Sequence, residues 1–486
     1  MNAVPLAVFW LLLAYAMAAR PAVIWFLFFG VMPFGALAAV PSQLTGGVTL
    51  LPQAIVAVFL VAKVILRPVA ARQALDAAID PRRFGLLVAF VAYSVASALI
   101  MPRLFAGQVT IVPVRADGAA TELLWPSSSN FTQAAYLTLS LGVAIATAVY
   151  LRRIDRLAVV VRALCFGGLI LCITGLVDMA ASAAGLSALL APFRTASYAI
   201  FADSAIHGMH RAIGLMPEAS TFGPLCVKFA AILYFLRSTS DIRLVHPTLQ
   251  AWVVVLLLAM AALSTSTTAY LGLLVLMTLM ACNWLRRALP GDATPGERRR
   301  LAGEMAAAYV GVVVLAAIFV FKPETLAVVT DFVDRMVFQK AETSSFDERM
   351  LWNGIGMDVF AQTYGLGVGI GGTRTSSWAV AVLSNAGLIG TGLMVAFLVV
   401  CMVKPVPRRE RIRPEAALGT RLAILVSLSM SSMAGTTTDF GVFTGAMFGI
   451  VMAVSWQQRR PATAPAVAAC PPGAPGYRQA NLGVRS

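Results

Sequence analysis

The chain has 486 residues, 59% of them hydrophobic and 12% charged, with a formal net charge of +15 and a mean hydropathy of +0.82. Soluble domains carry about 25% charged residues, so this composition excludes an ordinary soluble protein. Apolar runs of about 18 or more residues recur along the chain, which is the length of a membrane-crossing helix rather than of a barrel strand. We therefore predict an all-α, polytopic integral membrane protein.

The predicted helices follow one another along residues 1–458, which we interpret as a single transmembrane domain. They lie near 5–19, 22–40, 48–66, 84–101, 131–150, 157–178, 217–236, 250–264, 268–285, 303–321, 377–403, 419–434 and 440–457. The first two runs are close enough to form one broken element, so we expect about 12 or 13 transmembrane helices. Residues 459–486 are rich in Pro, Ala and Gly and are predicted to form a disordered cytoplasmic tail.

Arginine is concentrated in alternate connections between these helices. The arginine-rich connections lie near 67–83, 152–156, 237–243, 286–300 and 404–413. By the positive-inside rule they face the cytoplasm, so topology explains the high net charge. Binding to nucleic acid is not indicated, because no base-reading or aromatic elements accompany the basic residues.

Three connections on the opposite, periplasmic side are longer than a helical hairpin needs. They lie near 102–130, 179–216 and 322–376. Long ordered loops are usually functional, and here all three share one face. We therefore look for the functional site in these large periplasmic loops.

Five arginines occur in the later two loops against the general charge bias. They are Arg194, Arg211, Arg335, Arg349 and Arg374. A loop salt bridge or a lipid headgroup contact explains Arg194 and Arg335 as well as any function does. Arg211, Arg349 and Arg374 lie beside a helix start or a glycine-rich turn, where a guanidinium group could bind a phosphate bidentately.

The segment from Arg211 to Gly223 reads RAIGLMPEASTFG. Pro217 suits the first position of a helix, which would place Glu218 in the first turn, where the helix dipole favours an acid. A carboxylate at the membrane edge is also costly unless it is paired or functional. We predict a functional Glu218 with Arg211 as its available partner.

Two further polar groups leave alternatives open. Five consecutive hydroxyl residues, from Ser264 through Ser266 to Thr268, could satisfy helix ends or line a polar cavity for a sugar. Lys228 lies in the middle of a predicted helix and could extend inward or pair with Asp178 or Asp439.

Histidines 207 and 210 lie close to Asp203 and just before the arginine segment. They could form a metal site with Asp203, but no cysteine or histidine spacing strengthens that interpretation. A general base in His207 or His210 is the alternative. We predict neither a metal nor a cofactor.

The run from Gly365 to Arg374 reads GLGVGIGGTR, and three of its glycines match the spacing of a dinucleotide-binding fingerprint. No strand precedes it and it lies on the periplasmic side, so we exclude a nucleotide loop. One interpretation is a turn that lets backbone amides and Arg374 approach a bulky anion. The other is that the glycines only allow the loop to pack back against the helices.

In order and spacing, these segments resemble the bacterial O-antigen ligase and polymerase superfamily of membrane glycosyltransferases. The resemblance covers about residues 211–390 and rests on RAIGLMPEASTFG from Arg211, STSTTAYLG from Ser264, SFDERMLW from Ser345, YGLGVGIG from Tyr364 and SNAGLIG from Ser384. It implies a GT-C-like fold and a metal-independent, inverting transfer from a glycan linked to undecaprenyl pyrophosphate. The reaction would take place at the periplasmic face of the bacterial inner membrane.

The resemblance also assigns roles to residues. In the family, periplasmic arginines hold the pyrophosphate, and Arg211 and Arg349 match those motif positions, whereas Arg374 is a weaker match. The family's ligases carry a histidine where this chain has Ser376. That departure favours a polymerase of O-antigen or exopolysaccharide over the ligase, which transfers glycan to lipid A core or protein. A polysaccharide transporter or lipid flippase is the third alternative, and we find no inverted repeats to support it.

The predicted site follows from the residues themselves and from the family resemblance together. The catalytic residues are Glu218 as the general base, ahead of Asp347 and Glu348, with Arg211 and Arg349. The residues predicted to bind pyrophosphate or glycan are Arg374, Gly367, Gly369, Ser264, Ser266 and His210. The predicted partners are an undecaprenyl-pyrophosphate-linked oligosaccharide, a chain-length regulator, a flippase and membrane lipids.

Overall fold

The computed structural model describes residues 3–40, 49–114, 120–196, 205–206, 209–237, 246–289, 298–299, 301–306, 344–406 and 412–456. This part of the chain is mostly helical. Its helices are α1 Ala3–Ala18, α2 Val23–Gly30, α3 Pro52–Ile65, α4 Pro68–Ile79, α5 Leu86–Leu104, α6 Ser128–Tyr150, α7 Leu157–Ala183, α8 Ala219–Leu236, α9 Pro247–Leu263, α10 Thr267–Ala288, α11 Ser344–Gln362, α12 Trp378–Val403, α13 Ile412–Ala434 and α14 Gly441–Val454.

The strands described are short and lie in the loops. β1, Thr110–Ile111, pairs antiparallel with β2, Glu122–Leu123, with Thr110 opposite Leu123. β3, Ala205–Ile206, pairs antiparallel with β4, Met209–His210. A π-helical turn, Pro81–Gly85, leads into α5, and 3-10 turns lie at Ile154–Arg156 and Ser187–Phe193.

Seven helices in the described ranges are long and apolar enough to cross a membrane. They are α5 with its π-helical turn, α6, α7, α8, α10, α12 and α13; the bent pair α3–α4 would make an eighth. The chain is therefore a multi-pass membrane protein, as predicted. The count is lower than 12 or 13 because α1, α9 and α14 are shorter, and because most of the predicted helix near 303–321 and the tail from 459 lie outside the described residues.

The predicted helix at 22–40 is wrong in its second half. α2 ends at Gly30, and residues 31–40 are non-helical although most of them are buried. Pro33 explains the end of the helix, because its ring clashes with the carbonyl of the residue four positions earlier and it has no N–H to donate. The released backbone packs on the loop before α8, where the amide of Ala36 donates to the carbonyl of Leu215 at 2.9 Å.

Two helices were not predicted. α4 follows α3 after a bend of 106°, with Pro68 at its start and Ala74 and Ala77 on its buried face. α11 occupies the second half of the predicted loop 322–376. The first half of that loop lies outside the described residues.

α8 lies in the middle of the bundle and is buried along most of its length. Its Phe229 forms an aromatic cluster with Phe29 of α2 and Phe443 of α14, with ring centroids 4.9–6.3 Å apart. α14 packs on α6 at Gly445 and Gly449, where an added Cβ would lie 2.4–2.5 Å from atoms of α6. Small residues of this kind let membrane helices approach closely.

The loops fall into two groups at opposite ends of the bundle. The loop end comprises the described residues of 105–127, 184–218, 264–266, 363–377 and 435–440. The arginine-rich end comprises the described residues of the connections that follow α1, α3, α6, α8, α10 and α12. Hydrogen bonds hold the loops of the loop end together, such as those from Arg211 to Thr265 and from Trp378 to Thr438. The predicted site residues therefore belong to one end of the bundle.

Candidate functional site

Arg211 is fixed by the turn between α9 and α10. Its Nε donates to the Thr265 hydroxyl at 2.8 Å and to the Ser264 carbonyl at 3.3 Å, and one terminal nitrogen donates to the Thr265 carbonyl at 3.3 Å. Thr265 has a φ of +48°, a left-handed conformation that costs energy for a β-branched residue. These acceptors are neutral, so they orient the guanidinium group without cancelling its charge.

A buried ion pair positions the segment that carries Arg211. The Arg194 guanidinium donates to Asp178 at 2.6 Å and to the Gly214 carbonyl at 3.1 Å. The other carboxylate oxygen of Asp178 accepts from the amides of Ile213 and Gly214 at 3.1 and 3.0 Å. The salt-bridge interpretation of Arg194 is thus confirmed, and Asp178, which the sequence suggested as a partner of Lys228, serves this loop instead.

Glu218 is the N-cap residue of α8, so the helix begins at Ala219, two residues later than the predicted start at Pro217. Its carboxylate accepts a hydrogen bond from the Ser220 hydroxyl. In the described part of the chain, Glu218 and Arg211 form no ion pair within 4.0 Å, although the two charges interact electrostatically. Burial lowers the pKa of Arg211, and Glu218 and Tyr270 counteract this shift.

The hydroxyl run from Ser264 mainly completes helix ends. Ser264 is fully buried and its hydroxyl donates to the Ala261 carbonyl at 2.6 Å. Ser266 caps α10 by accepting from the Ala269 amide at 3.4 Å. The structure therefore favours helix-end hydrogen bonding over a sugar-binding cavity for Ser264 and Ser266. Thr265 is the hydroxyl residue of this run whose side chain contacts Arg211.

A second cluster forms where α11 meets the turn before α12. The Arg374 guanidinium lies 4.0 Å from the centroid of the Trp352 ring, and the Ser376 amide donates to the Asn353 side chain at 2.9 Å. Arg349 precedes Trp352 by about one helical turn, so both belong to the same face of α11. Arg349 is half-buried, and no hydrogen bond or ion pair joins its guanidinium group to another residue in the described ranges.

The glycine run is a tightly packed backbone segment. Gly365, Gly367, Gly369 and Gly371 have φ values of +77 to +82°, which favour glycine. An added Cβ at Gly369 would lie 2.5 Å from the Ser97 carbonyl of α5. The amides of residues 365–369 and 372–374 already donate to protein acceptors. This geometry favours the packing interpretation of Gly367 and Gly369 over an amide cradle for an anion.

A break in α12 receives this run. Gly387 has a φ of +63°. Two residues earlier, the Asn385 side chain accepts a hydrogen bond from the Thr373 amide at 3.2 Å and donates one to the Thr373 carbonyl at 3.0 Å. The Leu388 amide donates to the Gly365 carbonyl at 2.8 Å. Asn385 thus holds the turn that leads to Arg374, a role that the sequence did not reveal.

The loop at 435–440 lies between the two clusters. The Trp378 indole donates to the Thr438 carbonyl at 3.2 Å, and Asp439 accepts from the Gly441 amide at 3.0 Å. Asp439 interacts electrostatically with Lys228 of α8, so it is the acid that faces this lysine. Both side chains are partly accessible, whereas most of their neighbours on α8 and α14 are buried.

The predicted histidine group cannot be assembled from the described residues. His207 and Asp203 lie outside them, and of His210 the structure describes only the backbone, in β4. Elsewhere in the described ranges, no group of three His, Cys, Asp or Glu side chains lies close enough to hold a metal ion. Asp347 is exposed and Glu348 is half-buried on α11.

No protein-family model matches the chain, and no curated protein is significantly similar to it.

Proposed function

We propose that this protein is a polysaccharide polymerase, a membrane glycosyltransferase that joins repeat units carried on undecaprenyl pyrophosphate at the periplasmic face of the inner membrane. The observation that carries the proposal is Arg211, a half-buried guanidinium at the loop end that neutral acceptors hold in place beside Glu218. A fixed cation that keeps its charge at the edge of a membrane is suited to binding a pyrophosphate.

The reaction is an inverting displacement. The acceptor hydroxyl attacks the anomeric carbon of the donor glycan, a new glycosidic C–O bond forms, and the C–O bond to the pyrophosphate breaks. The acceptor proton passes to the Glu218 carboxylate, and the pyrophosphate leaves with the electron pair. Among the described residues, the Glu218 carboxylate accepts a hydrogen bond only from Ser220 and forms no ion pair with Arg211, so its second oxygen can accept the proton of the acceptor hydroxyl.

The charge of the leaving group requires stabilisation in the transition state. Arg211 supplies it from the α8 side, and Arg349 and Arg374 from the Trp352 side. Preorganised donors of this kind typically contribute about a hundred- to a thousandfold in rate. In this mechanism the arginines perform the role that a metal ion has in many cytosolic transferases.

Ser376 supports the polymerase over the ligase. The chain has no histidine in 322–376, and Ser376 is buried with its amide bound to Asn353. The ligase of the same superfamily remains the second candidate, because the motif resemblance covers both.

The test uses Arg211→Ala and Arg349→Ala with purified protein and lipid-linked repeat units in detergent. Both variants should lose at least about a hundredfold in polymer formation while remaining folded in the membrane. Arg103→Ala is the matched control, because Arg103 is an exposed arginine near the loop end whose side chain bonds, among the described residues, only to the Leu99 carbonyl of α5. This variant should retain full activity. Full-length polymer from both site variants would refute the proposal.

A deletion strain separates the two candidate reactions. Single repeat units on the final acceptor identify a polymerase, and free lipid-linked polymer identifies a ligase.

A further inference from the structure

A cavity of about 580 Å³ lies at the arginine-rich end, between the ends of α1, α3 and α6 and the start of α4. Among the described residues that line it there are six cations and no acid. The cations are Arg20, Lys63, Arg67, Arg152, Arg153 and Arg156. Arg153 has an exposed partner in Asp155, at 3.4 Å, and the charge of the other cations is unfavourable unless anions compensate for it.

Some of these cations already have partners. Lys63 donates to three carbonyls at the end of α1 at 2.5–3.0 Å, and Arg156 donates to the Tyr150 carbonyl at 3.2 Å. Arg20 and Arg67 are exposed, and their guanidinium groups form no hydrogen bond or ion pair with other described residues. The first group therefore builds the cavity, and the second is available to a ligand.

The cavity lies at the level of the membrane surface. α4 bends by 106° from α3, and large apolar side chains on and beside α4 are exposed, including Leu66 at 79%, Val69 at 70% and Ile79 at 69%. A helix with exposed apolar residues that turns away from a membrane span is typical of the lipid–water interface. Val64, Val69 and Val149 also line the cavity, so an apolar wall adjoins the cations.

We propose that this cavity binds the headgroup of an anionic phospholipid from the leaflet on the arginine-rich side. Its phosphate pairs with Arg20 and Arg67, and the first methylenes of its acyl chains lie along Val64 and Val69. Basic pockets between transmembrane helices recognise such headgroups. The apolar wall and the interfacial α4 favour a lipid over a free phosphate. This site is independent of the proposed transferase site at the loop end.

The test compares the purified full-length protein with the double variant Arg20→Gln/Arg67→Gln. Binding of short-chain phosphatidylglycerol, phosphatidylcholine and inorganic phosphate is measured by native mass spectrometry and by the shift in melting temperature. The wild type should bind one phosphatidylglycerol and neither of the other probes at the same concentration. Each surface cation contributes about fivefold to binding of an anionic lipid, so the double variant should bind about 25-fold more weakly.

The matched control is Arg72→Gln/Arg82→Gln, which removes the same charge from exposed positions that do not line the cavity. It should bind phosphatidylglycerol as the wild type does. Three outcomes would overturn the proposal: equal binding of inorganic phosphate, an equal loss in the control variant, or no bound anionic lipid in the wild type.

Discussion

Replacing Asp178 by asparagine tests whether the buried ion pair with Arg194 builds the Arg211 loop. The Asp178 and Arg194 side chains are 2% and 10% exposed, so the substitution leaves a nearly buried guanidinium without its counter-charge. Removing one partner of such a pair costs about 3–5 kcal/mol. The amides of Ile213 and Gly214 also lose a charged acceptor, so the segment that carries Arg211 should shift.

The free energy of unfolding is measured by SDS titration of the detergent-purified protein. The set comprises Asp178→Asn, Arg194→Gln and the double variant. The losses in unfolding free energy of the two single variants should add up to at least about 1 kcal/mol more than the loss in the double variant. The reason is that each single variant leaves the other charged group unpaired. Polymer formation should fall in all three, since all three release the loop.

The exposed pair of Arg153 and Asp155 provides the matched control. Its side chains are 68% and 63% exposed and 3.4 Å apart, and a pair of this kind contributes at most about 1 kcal/mol. Asp155→Asn should therefore change neither stability nor activity appreciably. Additive losses within about 0.5 kcal/mol for the Asp178 and Arg194 variants would show that the ion pair does not hold the loop.

Two further substitutions test packing in other parts of the bundle. Gly369→Ala should destabilise the protein by about 1–3 kcal/mol, because the new Cβ would meet the Ser97 carbonyl and residue 369 has a φ of +82°. Gly392→Ala is the control, because a Cβ there would lie in open space on α12. An equal loss of stability in both variants would contradict this reasoning. Lys63→Met should accelerate hydrogen exchange at the end of α1 without affecting α8, because it removes three hydrogen bonds to carbonyls there; unchanged exchange would show that Lys63 does not secure α1.

Hydropathy located most of the membrane helices, because a long apolar run has few alternatives to a helix. α6, α7, α10 and α12 each begin or end within a few residues of the prediction. The bend between α3 and α4 is also marked in the sequence, by Pro68. Pro68 disfavours a helical conformation for Arg67, which has a ψ of 133°.

The remaining features depend on contacts that no local pattern records. At the break in α12, a Cβ on residue 387 would lie 2.3 Å from the carbonyl of Leu366, so this contact requires glycine there. Similarly, the sequence offered Asp178 as a partner of Lys228. In the folded loop Asp178 pairs with Arg194 instead, and Lys228 interacts with Asp439. The roles of Arg194, Arg211 and Arg374 likewise follow from their contacts in the fold and not from the local sequence.

The loop at 435–440 has a consequence for how a substrate would be accommodated. α14 has 14 residues and rises about 21 Å, whereas the hydrocarbon core of a bilayer is about 30 Å thick. Its far end is level with the arginine-rich end, because Trp456 lies under Arg83 and Arg152. α14 alone is therefore about 9 Å shorter than the hydrocarbon core, so the loop at 435–440 that carries Asp439 begins within the depth of the bundle. In the proposed transferase, water that reaches Asp439 at this depth would keep the sugars solvated while the prenyl chain that carries them stays in lipid.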